Sequence, residues 1–168
     1  MGVSLVIGPF VVWSVYAPPP LLSPADLPAL TGTPVDYDHA IRFLGFSEAA
    51  PTIQAGSLYT IRLCWQVLNP TTRDGAFALK VFDSHGYQAG GRTSVHGLGH
   101  FNSTQWRTGD IFCDRVEMPV SATVQPGQHY NLLLTIQDVR GSQTEWSATG
   151  IDGSPVRYNT LLALTVGS

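Results

Sequence analysis

Tyr59-Thr60-Ile61-Arg62-Leu63-Cys64-Trp65-Gln66-Val67 alternates strictly: Tyr59, Ile61, Leu63, Trp65 and Val67 fall on one face and Thr60, Arg62, Cys64 and Gln66 on the other. A two-residue period of this kind marks a β-strand with one buried face. The same period recurs at Phe77-x-Leu79-x-Val81, at Tyr130-x-Leu132-x-Leu134-x-Ile136 and at Tyr158, Thr160, Leu162, Leu164 and Val166. Turn signals separate the runs: Asn69-Pro70, Asp74-Gly75, Ser84-His85-Gly86, Gln125-Pro126-Gly127, Arg140-Gly141-Ser142 and Asp152-Gly153-Ser154. No stretch after residue 40 carries a helical period. Seven or eight strands, each with one apolar face, are expected to pack as an all-β, two-sheet antiparallel β-sandwich of immunoglobulin-like or jelly-roll type spanning residues 39–168.

Upstream the composition changes twice. Residues 1–17, MGVSLVIGPFVVWSVYA, carry no charge. The run is shorter than the roughly 20 apolar residues of a complete membrane span, and the first basic residue, Arg42, lies too far downstream to form the positive region of a signal peptide. Pro9 within it, and Trp13 and Tyr16 at its end, suit a membrane helix reaching the interface. The expectation is the closing part of a transmembrane helix whose start is missing, leading out on the extracytoplasmic side. The alternative is an apolar first strand. Residues 18–38 then read as a linker, stiffened by Pro18, Pro19, Pro20, Pro24 and Pro28, with Ser23 capping a single helical turn that begins at Pro24 and stops before Pro28.

Composition excludes some functions. Net charge is −3, only 12% of residues are charged, and eight Arg and the single Lys80 are scattered along the chain. Without a basic stripe, nucleic acid is not an expected partner. Cys64 and Cys113 both fall in expected strands; they read as two separate buried thiols or, in an oxidising compartment, as one bridge. No Ser-His-Asp grouping, phosphate loop or nucleophilic thiol context is present, and no cofactor is implied.

Gly90–Asp110 breaks the strand rhythm with Gly90-Gly91, Gly97 and Gly99 around His96, His100, Asn102, Ser103, Thr104 and Trp106. A loop of this length within a compact domain is often functional. The candidate ligand-binding residues are therefore His96, His100, Asn102, Trp106 and, farther along, Trp146. The two tryptophans either stack on sugar rings or belong to the core; Trp65, on the apolar face of its strand, is core. His96 and His100 have i, i+4 spacing, but the intervening glycines argue against a helix and hence against a metal pair. Asn102-Ser103-Thr104 matches a glycosylation acceptor. Asp110 and Asp114 would lie about 13 Å apart along a strand, too far for paired acid–base catalysis. Asp110 reads as a turn residue, and Asp114, if it points inward, needs a partner among Arg42, Arg62 and Arg115.

In order along the chain, Tyr16-Ala17-Pro18-Pro19-Pro20, Leu22-Ser23-Pro24-Ala25-Asp26-Leu27-Pro28, Ile41-Arg42-Phe43-Leu44-Gly45-Phe46, Gly56-Ser57-Leu58 running on to Trp65, Asn102 through Asp110 with Asp114, and Pro126-Gly127-Gln128-His129-Tyr130 with Asp138 follow one pattern. The chain resembles the C-terminal extracytoplasmic domain of bacterial polytopic glycosyltransferases similar to the dolichyl-phosphate-mannose–protein mannosyltransferase and aminoarabinose transferase superfamily. It departs from that pattern at Phe77–Asp83, which lacks a histidine, and at Val95–Phe101, which replaces a proline-rich loop. The resemblance implies a non-catalytic accessory domain, since the catalytic carboxylates of such transferases lie in upstream membrane loops. Its partners would be the membrane, through residues 1–17, the membrane part of the transferase and a glycan. The alternatives are a free-standing carbohydrate-binding module and a structural domain at the cell surface.

Overall fold

The strand read from Tyr59 to Val67 extends from Leu58 to Val67 (β4), and its expected apolar face is buried along its whole length. The computed structural model describes residues 18–139 and 144–167. Among these, nine further strands surround β4: β1 (Val35–Tyr37), β2 (Ile41–Ser47), β3 (Thr52–Ile53), β5 (Gly75–Asp83), β6 (Gln88–Ser94), β7 (Ile111–Pro119), β8 (His129–Asp138), β9 (Ala148–Gly150) and β10 (Asn159–Val166). They form two five-stranded sheets, ordered β7-β4-β2-β1-β9 and β3-β10-β8-β5-β6. The inner faces of the two sheets enclose one continuous apolar core. The domain is a β-sandwich.

Trp65 sits at the middle of that core, with Phe43 edge-on at 5.4 Å, Tyr37 at 6.4 Å and Phe77 of the opposite sheet stacked at 6.3 Å between ring centroids. Offset and edge-to-face pairs of this kind add to plain area burial. Tyr37 also ties the two sheets by polar contacts: its hydroxyl donates to the Leu134 carbonyl at 3.1 Å and accepts from Asn159 Nδ2 at 3.0 Å. Burial raises the Tyr37 phenol pKa well above its ordinary value.

Several expectations change on contact with the structure. The sandwich begins at Val35 rather than 39, because Val35, Asp36 and Tyr37 form β1 and pair with both β2 and β9. Three residues are too few to show a period. The rest of the expected linker also lies on the domain: Leu22 N–H donates to the Ile111 carbonyl at 2.7 Å, and Thr31 bridges to Phe46. The single turn after Ser23 is a 3-10 turn, Pro24–Asp26. Pairing is antiparallel except for β3, which lies parallel to β10 after crossing to the other sheet. In β10 the alternation slips at Leu161, where a bulge changes the register with β8. Asn159 and Leu161 are therefore buried, and Tyr158 and Thr160 are exposed, the reverse of the reading from sequence.

The long loop is shorter than expected, since Gln88–Ser94 is a strand. Its glycines mark a close approach: a Cβ on Gly90 would stand 2.8 Å from the Pro119 carbonyl oxygen, where β6 meets the end of β7. The apolar run 1–17 and the turn Arg140-Gly141-Ser142 lie outside the described residues. No helix among the described residues is long and apolar enough to cross a membrane.

Cys64 and Cys113 form a disulfide, which replaces the reading of two separate thiols. Both residues belong to the outward face of their strands, and the β4–β7 register sets them directly opposite each other, Cα to Cα 4.1 Å. Narrow antiparallel pairs bring side chains close in this way. The bridge closes a chain segment of 49 residues. Protein denatured without reductant is therefore expected to show no thiol reactive toward Ellman's reagent. The Cys64→Ala/Cys113→Ala variant is expected to lose up to about 4 kcal/mol of stability by loop-closure entropy, read from urea unfolding.

Candidate functional site

Strand alternation in β7 puts Phe112, Asp114, Val116 and Met118 on the inner face, with Asp114 opposite Leu63. A buried carboxylate has to be satisfied where it stands. Asp114 accepts from the Gly97 backbone N–H at 2.8 Å and from His96 Nδ1 at 2.9 Å. With the carboxylate ionised, Nδ1 carries the proton. None of the three arginines expected as partners reaches it. All three lie on the outer face of their sheet, where Arg42 pairs with Asp36, Arg62 with Glu48, and Arg115 with Glu48 and Glu117.

His96 is fully buried, its ring edge-on to Trp65 at 4.7 Å, to Trp106 at 5.4 Å and to Phe112 at 5.4 Å. Phe101 packs on Phe112 at 4.9 Å, and Trp106 Nε1–H donates to the Phe101 carbonyl at 3.3 Å. The segment 95–110 is thus a plug closing one end of the sandwich, shaped by the 3-10 turns Gly97–Gly99 and Ser103–Gln105. Asp110 is a turn residue, accepting from the Arg107 N–H at 2.9 Å.

The five candidate ligand-binding residues separate accordingly. His96, Trp106 and Trp146 are in the core, so they offer no ring face to a ligand in solvent; the apolar end of the sandwich needed filling, and these rings fill it. His100 is half-buried and caps the first 3-10 turn through its backbone N–H. Asn102, also half-buried, lines a cleft. The structure nevertheless brings the two loop tryptophans together: Trp106 and Trp146 meet at 6.4 Å. Exposed aromatic rings do occur, at Tyr87 and Tyr158, and neither lines the cleft described next.

Beside Asn102 lies a polar cleft of about 470 Å³, lined by Thr72, Arg73, Asp74, Asn102, Thr104 and Asp138. Arg73 organises it. Its Nε and Nη2 donate to the two oxygens of Asp138 at 3.0 and 2.9 Å, Nη1 donates to Asp38, and the guanidinium lies over the Trp146 ring at 5.0 Å. Trp146 Nε1–H donates to Asp138 at 2.8 Å, and Asp38 also accepts from the Ser147 N–H at 2.9 Å. The Ser103 hydroxyl donates to the Arg73 carbonyl, which joins the loop carrying Asn102 and Thr104 to the opposite wall. Gly75 leaves room for the indole, since a Cβ there would lie 2.7 Å from Trp146 Cζ2. Hydrogen bonds from Arg73 and then from Trp146 hold the Asp138 carboxyl below the usual carboxylate range, and Asp138 raises the pKa of Arg73 in turn.

Sequence reasoning missed Thr72, and it missed Arg73 and Asp38, whose partners lie far away along the chain. Of the cleft residues the sequence singled out Asn102, while Asp138 entered only through the resemblance. Among the described residues no group of three or more His, Cys, Asp or Glu is placed to hold a metal ion. The cleft offers hydrogen-bond donors and acceptors on a fixed frame.

No protein-family model and no curated protein sequence matches the chain. Among solved structures, the C-terminal domain of Wzt superposes with a TM-score of 0.54 at 13% identity, covering 84% of this chain and 83% of that one. The two share a fold. A segment of Bacteroides uniformis β-glucuronidase, at 15% identity, covers 66% of this chain and 12% of the enzyme with a TM-score of 0.38, too low to argue from.

Removing the charge of the buried carboxylate by Asp114→Asn is expected to cost about 2 kcal/mol, with faster hydrogen exchange confined to residues 95–106. Exchange spread evenly over all strands would contradict the plug. The lowered pKa of Asp138 also has a pH consequence. Its contribution is complete above about pH 4, where the unfolded carboxyl is ionised, and is lost as pH falls through the depressed folded value. The urea midpoint of the wild type should therefore drop more steeply below that pH than that of Asp138→Asn.

Proposed function

We propose that this sandwich is a non-catalytic, carbohydrate-binding accessory domain on the extracytoplasmic side of a membrane, which holds a glycan in the Arg73–Asn102 cleft. The observation that carries the reading is the cleft itself. Sugar hydroxyls are recognised by planar amide, carboxylate and guanidinium groups that present paired donors and acceptors. Here such groups stand on a frame clamped from three directions, so little ordering would accompany binding. The chain as a whole is poor in charge, with 12% charged residues, as suits a neutral polar ligand.

Location rests on different support. A disulfide between cysteines on neighbouring strands persists where the compartment is oxidising, which favours the outer side. Residues 1–17 would be the anchor and the exit Tyr16–Pro20 its end, in keeping with the resemblance to the C-terminal domains of polytopic glycosyltransferases. The fold shared with a domain that is itself C-terminal in Wzt supports an appended rather than a free-standing unit. The sheet order supports the immunoglobulin-like type over the jelly roll: β10-β8-β5-β6 faces β4 and β7, with β3 beside β10. Leu22 lies against the start of β7, so the chain joins the domain at the end that the loop 95–110 closes. This favours a second role for that end, packing on the membrane part of the parent protein.

A glycan array with the full chain in detergent is expected to show binding that Asn102→Ala/Thr104→Val abolishes while circular dichroism and Tm are unchanged. The same chain should sediment with membranes until detergent is added. A blank array with the wild type would sink the glycan role, and recovery of all the chain in the soluble fraction would sink the anchor.

A further inference from the structure

We infer that the cleft selects neutral saccharides and rejects acidic ones, an inference that rests on the glycan-binding reading above. Of the six described residues that line it, Arg73 is the cation and Asp74 and Asp138 carry carboxylates. A third carboxylate, Asp38, is bound to the same guanidinium. Among the described residues the local sum is one positive charge against three negative.

What matters is how the Arg73 cation is occupied. Arg73 presents its Nε and one terminal nitrogen as a fork to Asp138, its other terminal nitrogen to Asp38, and its face to Trp146. A guanidinium recognises a carboxylate or phosphate best through such a two-pronged edge. That edge is already filled by Asp138, so a uronic acid or a phosphorylated sugar would have to displace it. Displacement would expel a carboxylate that also accepts the Trp146 indole N–H, leaving that buried donor without its partner. An acidic group that did not displace Asp138 would instead lie beside like charge, from Asp138 itself and from Asp74 next to it on the same wall. Neutral hydroxyls meet neither obstacle: they donate to the carboxylate oxygens and accept from the Asn102 amide, whose residue is partly exposed at the rim.

The test is an array of matched pairs printed side by side: mannotriose and its 6-phosphate, galactotriose and trigalacturonic acid, and cello-oligosaccharides with and without a terminal glucuronic acid. Of any pair that the wild type binds, the acidic member should bind at least about tenfold more weakly at low salt, and the gap should narrow as salt screens the repulsion. Asp74→Asn, which removes one carboxylate and leaves the Arg73 fork in place, should also narrow it. Equal or tighter binding of the acidic members by the wild type would overturn the selectivity while leaving the glycan role intact. An array blank for both members of every pair would overturn the glycan role and the selectivity with it.

Discussion

A carboxylate on the inner face of an edge strand sets the terms for this end of the molecule. The alternation of β7 commits Asp114 to the interior along with Phe112 and Val116. Among the described residues the interior supplies no arginine, because every arginine on the neighbouring strands belongs to the outer face. The carboxylate can be answered only by chain that folds down onto it, and the β6–β7 connection does so with one backbone N–H and one imidazole. Once His96 is drawn in, its neighbours follow: Phe101 and Trp106 fill the remaining volume beside Phe112 and Trp65. A segment rich in glycine and short of apolar residues thus becomes part of a core.

That docking fixes the cleft. Trp106 meets Trp146 in an edge contact, and Trp146 in turn supports Arg73 from below and Asp138 from the side. Ser103, between Asn102 and Thr104, bonds to the Arg73 carbonyl, so the two cleft walls share one anchor. The ion pairs of Arg73 are partly exposed and contribute little to overall stability. Their effect is geometric: they hold the β1–β2 turn, the end of β8 and the approach to β9 in one arrangement. Stability comes mainly from elsewhere, from the apolar layer centred on Trp65, the Tyr37 link between the sheets and the Cys64–Cys113 bridge.

The architecture was legible because it rests on a local signal. Each of the longer strands repeats its apolar residues at the pleat spacing over enough positions to be read, and the turns between them carry Gly, Pro and Asn. The short strands β1, β3 and β9 were not legible, since two or three residues show no period. Leu161 misled for a related reason: a bulge is chosen by the partner strand, and the sequence on either side of it still alternates. The site was half legible. Composition singled out the segment around His96, Asn102 and Trp106 correctly as an anomaly, but an aromatic in an irregular loop looks the same whether it faces water or the core. The inward register of Asp114 decides between the two, and that is a property of β7. Arg73 was invisible because its partners Asp38 and Asp138 lie 35 and 65 residues away along the chain.

The burial of both loop tryptophans changes what kind of recognition this end of the sandwich supports. A binding face built on exposed indole rings gains affinity from stacking on the apolar faces of sugars, and it tolerates many of them. With Trp106 and Trp146 spent on the core, the cleft is left with directional contacts alone. Such contacts return little net free energy each, because every hydrogen bond made to the ligand replaces one to water. Their strength is discrimination: a donor or acceptor left unmatched costs more than a matched one gains. If the cleft binds a glycan as we propose, its fixed polar groups backed by buried rings would hold that ligand loosely and distinguish it sharply. Such loose holding would suit the proposed role of presenting a chain to another site, where a tightly retained ligand would not move on.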